Sequence, residues 1–156
     1  MKLQTGNKAP DFTAGTDGGG SVKLSDKLGK WIVLYFYPKD NTPGCTKEAC
    51  DFRDNMEYLT SLNVEVVGIS KDSAKSHDNF KAKHNLNFVL ASDPETKIIQ
   101  AYDSWKEKKM YGKSYMGTQR NTFIIDNEGI IRFIYTNVKV TGHVDEIKKK
   151  LDELMK

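Results

Sequence analysis

The sequence predicts an α/β fold, a three-layer sandwich in which helices flank a central mixed β-sheet. Three observations carry this. The run Trp31-Ile32-Val33-Leu34-Tyr35-Phe36-Tyr37 is the most apolar in the chain and has the length and residue types of a fully buried strand. A helical pattern and a second apolar run, Val64 to Ile69, follow at βαβ spacing, which implies parallel strands and a right-handed crossover. Near the end, Thr122 to Asp126 and Ile130 to Thr136 flank Asn127-Glu128-Gly129, a hairpin signal, ahead of an amphipathic helix.

In chain order, residues 1–11 are polar and read as an extended arm ending at Pro10. Phe12-Thr13-Ala14 and Val22-Lys23-Leu24 flank Gly15-Thr16-Asp17-Gly18-Gly19-Gly20, an N-terminal hairpin extension with a glycine-rich tip. Those glycines open no helix and no phosphate-loop motif accompanies them, so the tip is a plain loop. Ser25 to Lys30 is a short turn before the central strand. Phe52, Met56 and Leu59 fall at helical spacing and predict a helix from about Thr42 to Leu62. Ser73 to Asn85 reads as a second helix with Ser73 at its N-cap, Phe88 to Leu90 as a short strand, and Pro94 to Tyr102 as a third helix. Ser104 to Gln119 has no clean period and is expected to wrap over one side of the sheet. His143 to Met155 places Val144, Ile147, Leu151 and Leu154 on one helical face.

The length of 156 residues predicts one domain, spanning 1–156, with a single well-developed core. Hydrophobic residues at 38% and charged ones at 29% describe a soluble globular chain. A net charge of +3, from 24 basic and 21 acidic side chains, is too balanced to imply nucleic acid or an anionic membrane. The first residues have no apolar core of a targeting peptide, and no run approaches the roughly 20 apolar residues of a membrane span. The expected address is cytoplasmic. Two cysteines in a chain of this size do not make a disulfide framework; such a pair means catalysis, metal binding or an inert buried pair.

Both cysteines lie in the stretch Pro38 to Arg53, PKDNTPGCTKEACDFR. Pro38 stops the central strand, because it brings no N–H to the ladder. Asp40 to Gly44 make a turn; Thr42 suits the N-cap and Pro43 the first helical position. Cys45 then falls in the first turn, where unpaired N–H groups and the helix dipole favour a thiolate. Cys50 lies one and a half turns along. A cysteine at a strand-to-helix junction with a second thiol close by is the arrangement of a redox nucleophile.

Pro38, Thr42 and Cys45 spell P-x-x-x-T-x-x-C, and on this signature the chain resembles the peroxiredoxins. The longer string from Phe36 to Cys50, with Gly6 to Phe12 and Arg120 to Asp126, is similar to the bacterioferritin comigratory protein (PrxQ) branch. The resemblance covers nearly the whole chain, and departs from the family at Thr118 and Asn121, where a more apolar and a smaller residue are expected. It implies a thioredoxin-like fold and a thiol peroxidase that reduces hydrogen peroxide or alkyl hydroperoxides. Cys45 is then the peroxidatic cysteine, oxidised to a sulfenic acid, and Cys50 the resolving one, closing an intramolecular disulfide. Thr42 and the N–H groups around Gly44 and Cys45 supply hydrogen-bond donors, Arg120 supplies the cation, and Pro43 shields the sulfur. Pro38, Pro43 and Gly44 thus position the substrate. The resemblance also implies recycling by thioredoxin or a similar dithiol, no metal, haem or flavin cofactor, and a monomer.

The rival reading is a non-enzymatic thioredoxin-like module that binds zinc or a partner thiol. Cys45-x4-Cys50 falls inside the spacing range of zinc ligands, but His77, His84 and His143 lack the usual local spacing. A dithiol oxidoreductase would call for C-x-x-C, which this chain does not have. Neither rival explains Pro38, Thr42 and Arg120 together. Glu48, in the first turns of the helix, reads as a complement to the dipole.

Overall fold

The structure, a computed structural model, describes residues 2–156. A seven-stranded sheet is built from β1 (Thr13–Thr16), β2 (Ser21–Lys23), β3 (Trp31–Phe36), β4 (Val64–Ser70), β5 (Val89–Ser92), β8 (Asn121–Ile125) and β9 (Ile131–Tyr135), in the order β2-β1-β5-β4-β3-β8-β9. β3 pairs in parallel with β4, and β4 with β5, as the crossover spacing requires. β8 runs antiparallel to β3, and β9 to β8, so the sheet is mixed. The N-terminal hairpin joins the edge of this sheet, where Gly15 and Thr16 pair with Ser92 and Ala91.

β3 is central, and its alternation divides the core. Ile32, Leu34 and Phe36 face one side, with Ile98, Ile99 and Tyr102 from the segment that holds α3 (Lys97–Ala101). Val33, Tyr35 and Tyr37 face the other, against α1 (Pro43–Ser61), Phe80 of α2 (Ala74–His84) and Val144, Ile147 and Leu151 of α4 (His143–Leu154). Full burial of a side chain such as Phe52 or Leu34 contributes about 1.5–3 kcal/mol. These contacts fix α1 on the sheet: the ring of Phe52 stacks on Tyr35 with centroids 4.7 Å apart. Tyr35 in turn lies over Gly68 of β4, where an added Cβ would come within 2.8 Å of the ring.

Two expectations are corrected. The third helix starts at Lys97, not Pro94, because Thr96 is left-handed (φ 61°) and cannot continue a helix from Pro94. Asp93 holds the turn instead: its carbonyl accepts the Thr96 N–H at 3.0 Å and its carboxylate the Ile99 N–H at 2.8 Å. Residues 105–118 are regular: β6 (Trp105–Met110) and β7 (Lys113–Thr118) form a separate two-stranded sheet. Tyr111 and Gly112, both at positive φ, make its tight turn. Most of this hairpin's residues are exposed or half-buried on both faces, so no apolar alternation marks it.

Candidate active site

The chain leaves β3 at its carboxyl end, where the Tyr37 N–H still bonds Ile69 C=O at 3.1 Å, and Pro38 ends the ladder. Asn41 takes the left-handed conformation (φ 63°). Thr42 follows in extended backbone at the N-cap, Pro43 occupies the first helical position, and the Thr46 N–H bonds Thr42 C=O at 2.8 Å. The Thr42 side chain does not cap. Its hydroxyl donates to Lys39 C=O at 2.8 Å. The expectation that this hydroxyl donates into the site is therefore corrected: its one proton is used, and lone pairs are what it offers.

Cys45 is the third residue of α1 and is 2% exposed. It packs on the same side as Ala49 and Phe52, in the cluster with Tyr35 and Tyr37. Helix geometry leaves the Gly44 and Cys45 N–H groups without intrahelical partners, pointing past the start of α1.

Arg120 reaches this position from the link between β7 and β8. Its Nη2 donates to Cys45 Sγ at 3.4 Å, and its Nη1 donates to Glu48 Oε1 at 2.7 Å. Gly44 admits the guanidinium: a Cβ there would stand 3.2 Å from Nη2. The Arg120 backbone is pinned on both sides, since its C=O accepts the Val138 N–H at 2.7 Å and the Gln119 N–H bonds Ser104 C=O at 2.7 Å. Asn121, one of the departures from the family pattern, is fully buried and reinforces this link. It donates to Ser104 Oγ at 2.9 Å and accepts from the Asn137 N–H at 3.0 Å.

The electrostatics converge on Arg120. Glu48 is fully buried, and its Oε2 has no hydrogen-bond partner. Burial pushes its carboxyl up, Arg120 restrains the rise, and the group ends at about 7. His143, hydrogen-bonded through Nε2 to Thr122 Oγ1 at 2.9 Å, is pushed down to about 4 by burial and by the Arg120 charge. Lys108 of β6 is also lowered, first by burial and then by Arg120, while Cys45 raises it.

Cys45, Arg120 and Gly44 are thus brought into contact, with Pro43 and Thr42 framing the helix start. Pro38 lies two residues past the end of β3, at the start of the loop that leads to them. Cys50 is half-buried on the next turn of the same unbroken helix, and both thiols are free. Glu48 is the residue that sequence reasoning undervalued: it is the anchor of Arg120. Its spacing of three from Cys45, on a helix whose inner face is apolar, is the signal that could have found it. Of the three histidines, His77 is engaged with Asp40 and Ala91, His143 with Thr122, and His84 packs edge-on against Phe80.

Residues 5–134 match the model of the AhpC/TSA family. Peroxiredoxin Bcp of Bacillus subtilis is 51% identical over 154 residues, covering 99% of this chain and 98% of that protein. The fold superposes with a TM-score of 0.89 on the Xanthomonas campestris bacterioferritin comigratory protein, whose structures concern its alkyl peroxide reduction activity; the two are 40% identical over 93% of this chain and 92% of that one. A cysteine-to-serine variant of Xylella fastidiosa PrxQ gives a TM-score of 0.95 at 36% identity, over 100% and 99% of the chains. With a buried thiol, a helix start and an arginine already meeting at one point, the chain belongs to the AhpC/TSA family as a peroxiredoxin of the Bcp/PrxQ branch, a thiol-dependent peroxidase on a thioredoxin-like fold.

Proposed function

We propose that Cys45 is the peroxidatic cysteine of this peroxidase, that Cys50 resolves it, and that hydrogen peroxide and alkyl hydroperoxides are the substrates. The observation that carries this reading is the Arg120 guanidinium donating to Cys45 Sγ at the start of α1. Arg120 and the Gly44 and Cys45 N–H groups put positive charge beside the sulfur, suited to a thiolate and to a peroxide oxygen. The Thr42 hydroxyl, which donates its own hydrogen bond to Lys39 C=O, accepts a hydrogen bond from the O–H of the incoming hydroperoxide, whose proton stays on the distal oxygen. The thiolate attacks the distal oxygen, the O–O bond breaks, and the departing alkoxide takes up a proton as alcohol or water. Cys45 is left as the sulfenic acid. Pro38, Pro43 and Gly44 shape this entry; Gly44 does so by leaving room for the guanidinium.

Cys50 then attacks the sulfenic sulfur, water leaves, and an intramolecular disulfide forms. A dithiol of the thioredoxin type reduces it by exchange, which restores both thiols. The cycle needs no resident cofactor, and it fits a monomer in the cytoplasm, where such dithiols are kept reduced. A zinc-binding module is the less favoured reading, because a guanidinium beside Cys45 opposes a divalent cation there. The deciding experiment is peroxide consumption by metal-free protein with dithiothreitol as reductant. Turnover supports the peroxidase; no turnover, with stoichiometric zinc uptake, supports the module.

A further inference from the structure

The loop that delivers Cys45 is held by a buried charged cluster that lies outside the peroxide site. Asp40, in the middle of this loop, is 4% exposed and His77 of α2 is fully buried. His77 Nδ1 lies 2.7 Å from Asp40 Oδ2, and its Nε2 lies 3.0 Å from Ala91 C=O on β5. Asp40 also accepts from Tyr37 Oη at 2.6 Å and from Ser76 Oγ at 2.8 Å, and its N–H donates to Asp72 Oδ2 at 2.8 Å. Ser70 Oγ holds that same Asp72 oxygen at 2.7 Å.

A backbone carbonyl can only accept, and a carboxylate that already takes two hydroxyl donors is best served by a third. Both ring nitrogens of His77 therefore face acceptors, and only an imidazolium donates from both. The groups around the ring agree with this. Asp40 faces it from the loop, Asp72 from the turn after β4, Tyr37 from the end of β3, and Ala91 C=O from β5. Burial by itself would push the imidazole down and the carboxyl up. The hydrogen bonds between them reverse both, so that His77 sits above the usual histidine range and Asp40 below the usual carboxylate range.

We propose that Asp40 and a doubly protonated His77 form a clamp that fixes the Pro38–Thr42 loop, and with it Thr42 and the first turn of α1, in the geometry that reacts with peroxide. The path is short. Asp40 is bonded to α2, β3 and the turn after β4; the next residue back, Lys39, carries the carbonyl that orients the Thr42 hydroxyl; and Thr42 C=O accepts the first bond of α1. His77 and Asp40 are positioning residues, since neither is shown in contact with Cys45. The functional half of this inference rests on the peroxidase reading, and the protonation half does not.

Two measurements test it. In the reduced protein, ring nitrogen shifts of His77, identified by their loss in His77→Asn, should be those of an imidazolium with both nitrogens protonated at pH 7. A deprotonated ring nitrogen at pH 7 overturns the clamp, whatever the enzyme does. In Asp40→Asn, single-turnover oxidation of Cys45 by hydrogen peroxide should slow on the order of ten- to a hundred-fold, because misplacement of the donors and acceptors is costly. Alkylation of Cys45 by iodoacetamide, which needs the thiolate but not the peroxide geometry, should change by less than about twofold. Equal rates for both reagents in variant and wild type, or a parallel fall in both, overturns the positioning role. If the wild-type protein itself ignores peroxide, the peroxidase reading has failed, while the nitrogen shifts still decide the ion pair.

Discussion

Glu48 and Cys45 share one cation, and the carboxylate holds the shorter bond. Arg120 lies 2.7 Å from Glu48 Oε1 and 3.4 Å from Cys45 Sγ. The carboxylate orients the fork, and the second nitrogen is thereby aimed at the sulfur. The arrangement also makes the two acids compete. A buried carboxylate with one oxygen unpartnered is costly, so Glu48 ionises only near neutrality. Below that range the neutral carboxyl leaves the Arg120 charge unmatched beside the sulfur; above it, the Glu48 carboxylate offsets that charge.

The pH dependence of Cys45 oxidation should therefore include an ionisation near 7 that belongs to Glu48. In Glu48→Gln this component should disappear, while the rate at neutral pH falls by less than about tenfold, because the amide oxygen still accepts from Arg120. Glu48→Ala frees the guanidinium and should cost on the order of a hundredfold. Stopped-flow rates from pH 5 to 9 on the three proteins provide the check. An unchanged profile in Glu48→Gln would show that the carboxyl is not coupled to the reaction.

The two cysteines should be separable by turnover. Cys45→Ser should abolish peroxide consumption with every reductant, because the nucleophile is gone. Cys50→Ser should complete one turnover and leave a sulfenic acid that dimedone traps, while thioredoxin-linked turnover falls sharply. Equal loss in both variants at the first turnover would remove the division of roles.

The site was legible in the sequence where chemistry and local structure coincide. Pro38, Thr42, Pro43 and Cys45 lie within eight residues, so the strand end, the helix start and a cysteine in its first turn read off together. The β3–α1–β4 unit was equally plain, because its strands are largely buried on both faces and show as apolar runs, interrupted in β4 by Glu65. What stayed hidden depends on distant partners. Glu48 is one carboxylate among many until Arg120, 72 residues on, is seen to meet it. Asp40 and His77 are ordinary loop and helix residues until the sheet brings them to 2.7 Å. The β6–β7 hairpin escaped because it buries little, so no alternation was imposed on it.

His143 should make the fold acid-sensitive. The folded state holds it near 4, below the 6.5 of a free imidazole, so the unfolded chain binds the extra proton first. The stability it contributes is fully present above about pH 6.5 and is lost as pH falls through 4. Over that window the loss is on the order of 3 kcal/mol. In His143→Gln, which keeps a hydrogen-bonding group for Thr122 Oγ1 but does not titrate, the decline between pH 6.5 and 4 should be correspondingly shallower. Urea unfolding at several pH values measures this, and parallel declines in the two proteins would show that His143 does not titrate on unfolding.

If Cys45 and Cys50 join in the proposed disulfide, their geometry requires that α1 open during each cycle. Five residues along an α-helix separate two Cα atoms by a rise of about 7.5 Å and a rotation of roughly 140°, hence about 8.6 Å. A disulfide tolerates up to roughly 6.8 Å, with convergent Cβ vectors. α1 is unbroken from Pro43 to Ser61, so the bond cannot form in this conformation. Opening from the N-terminal end is the least costly route, since Gly44 and Thr46 are weak helix formers and helix ends fray. Phe52, buried and stacked on Tyr35, should stop the unwinding before it reaches the second half of the helix. Cys45, Glu48 and Ala49 must leave the core, and the Arg120–Glu48 ion pair must break with them. Hydrogen exchange should accordingly show protection from about Thr46 to Asp51 that is present in the reduced protein and lost in the oxidised one, with Phe52 onward protected in both. If the oxidised protein retains that protection while mass spectrometry finds the Cys45–Cys50 bond, the helix does not open as argued, and the start of α1 cannot be what activates Cys45.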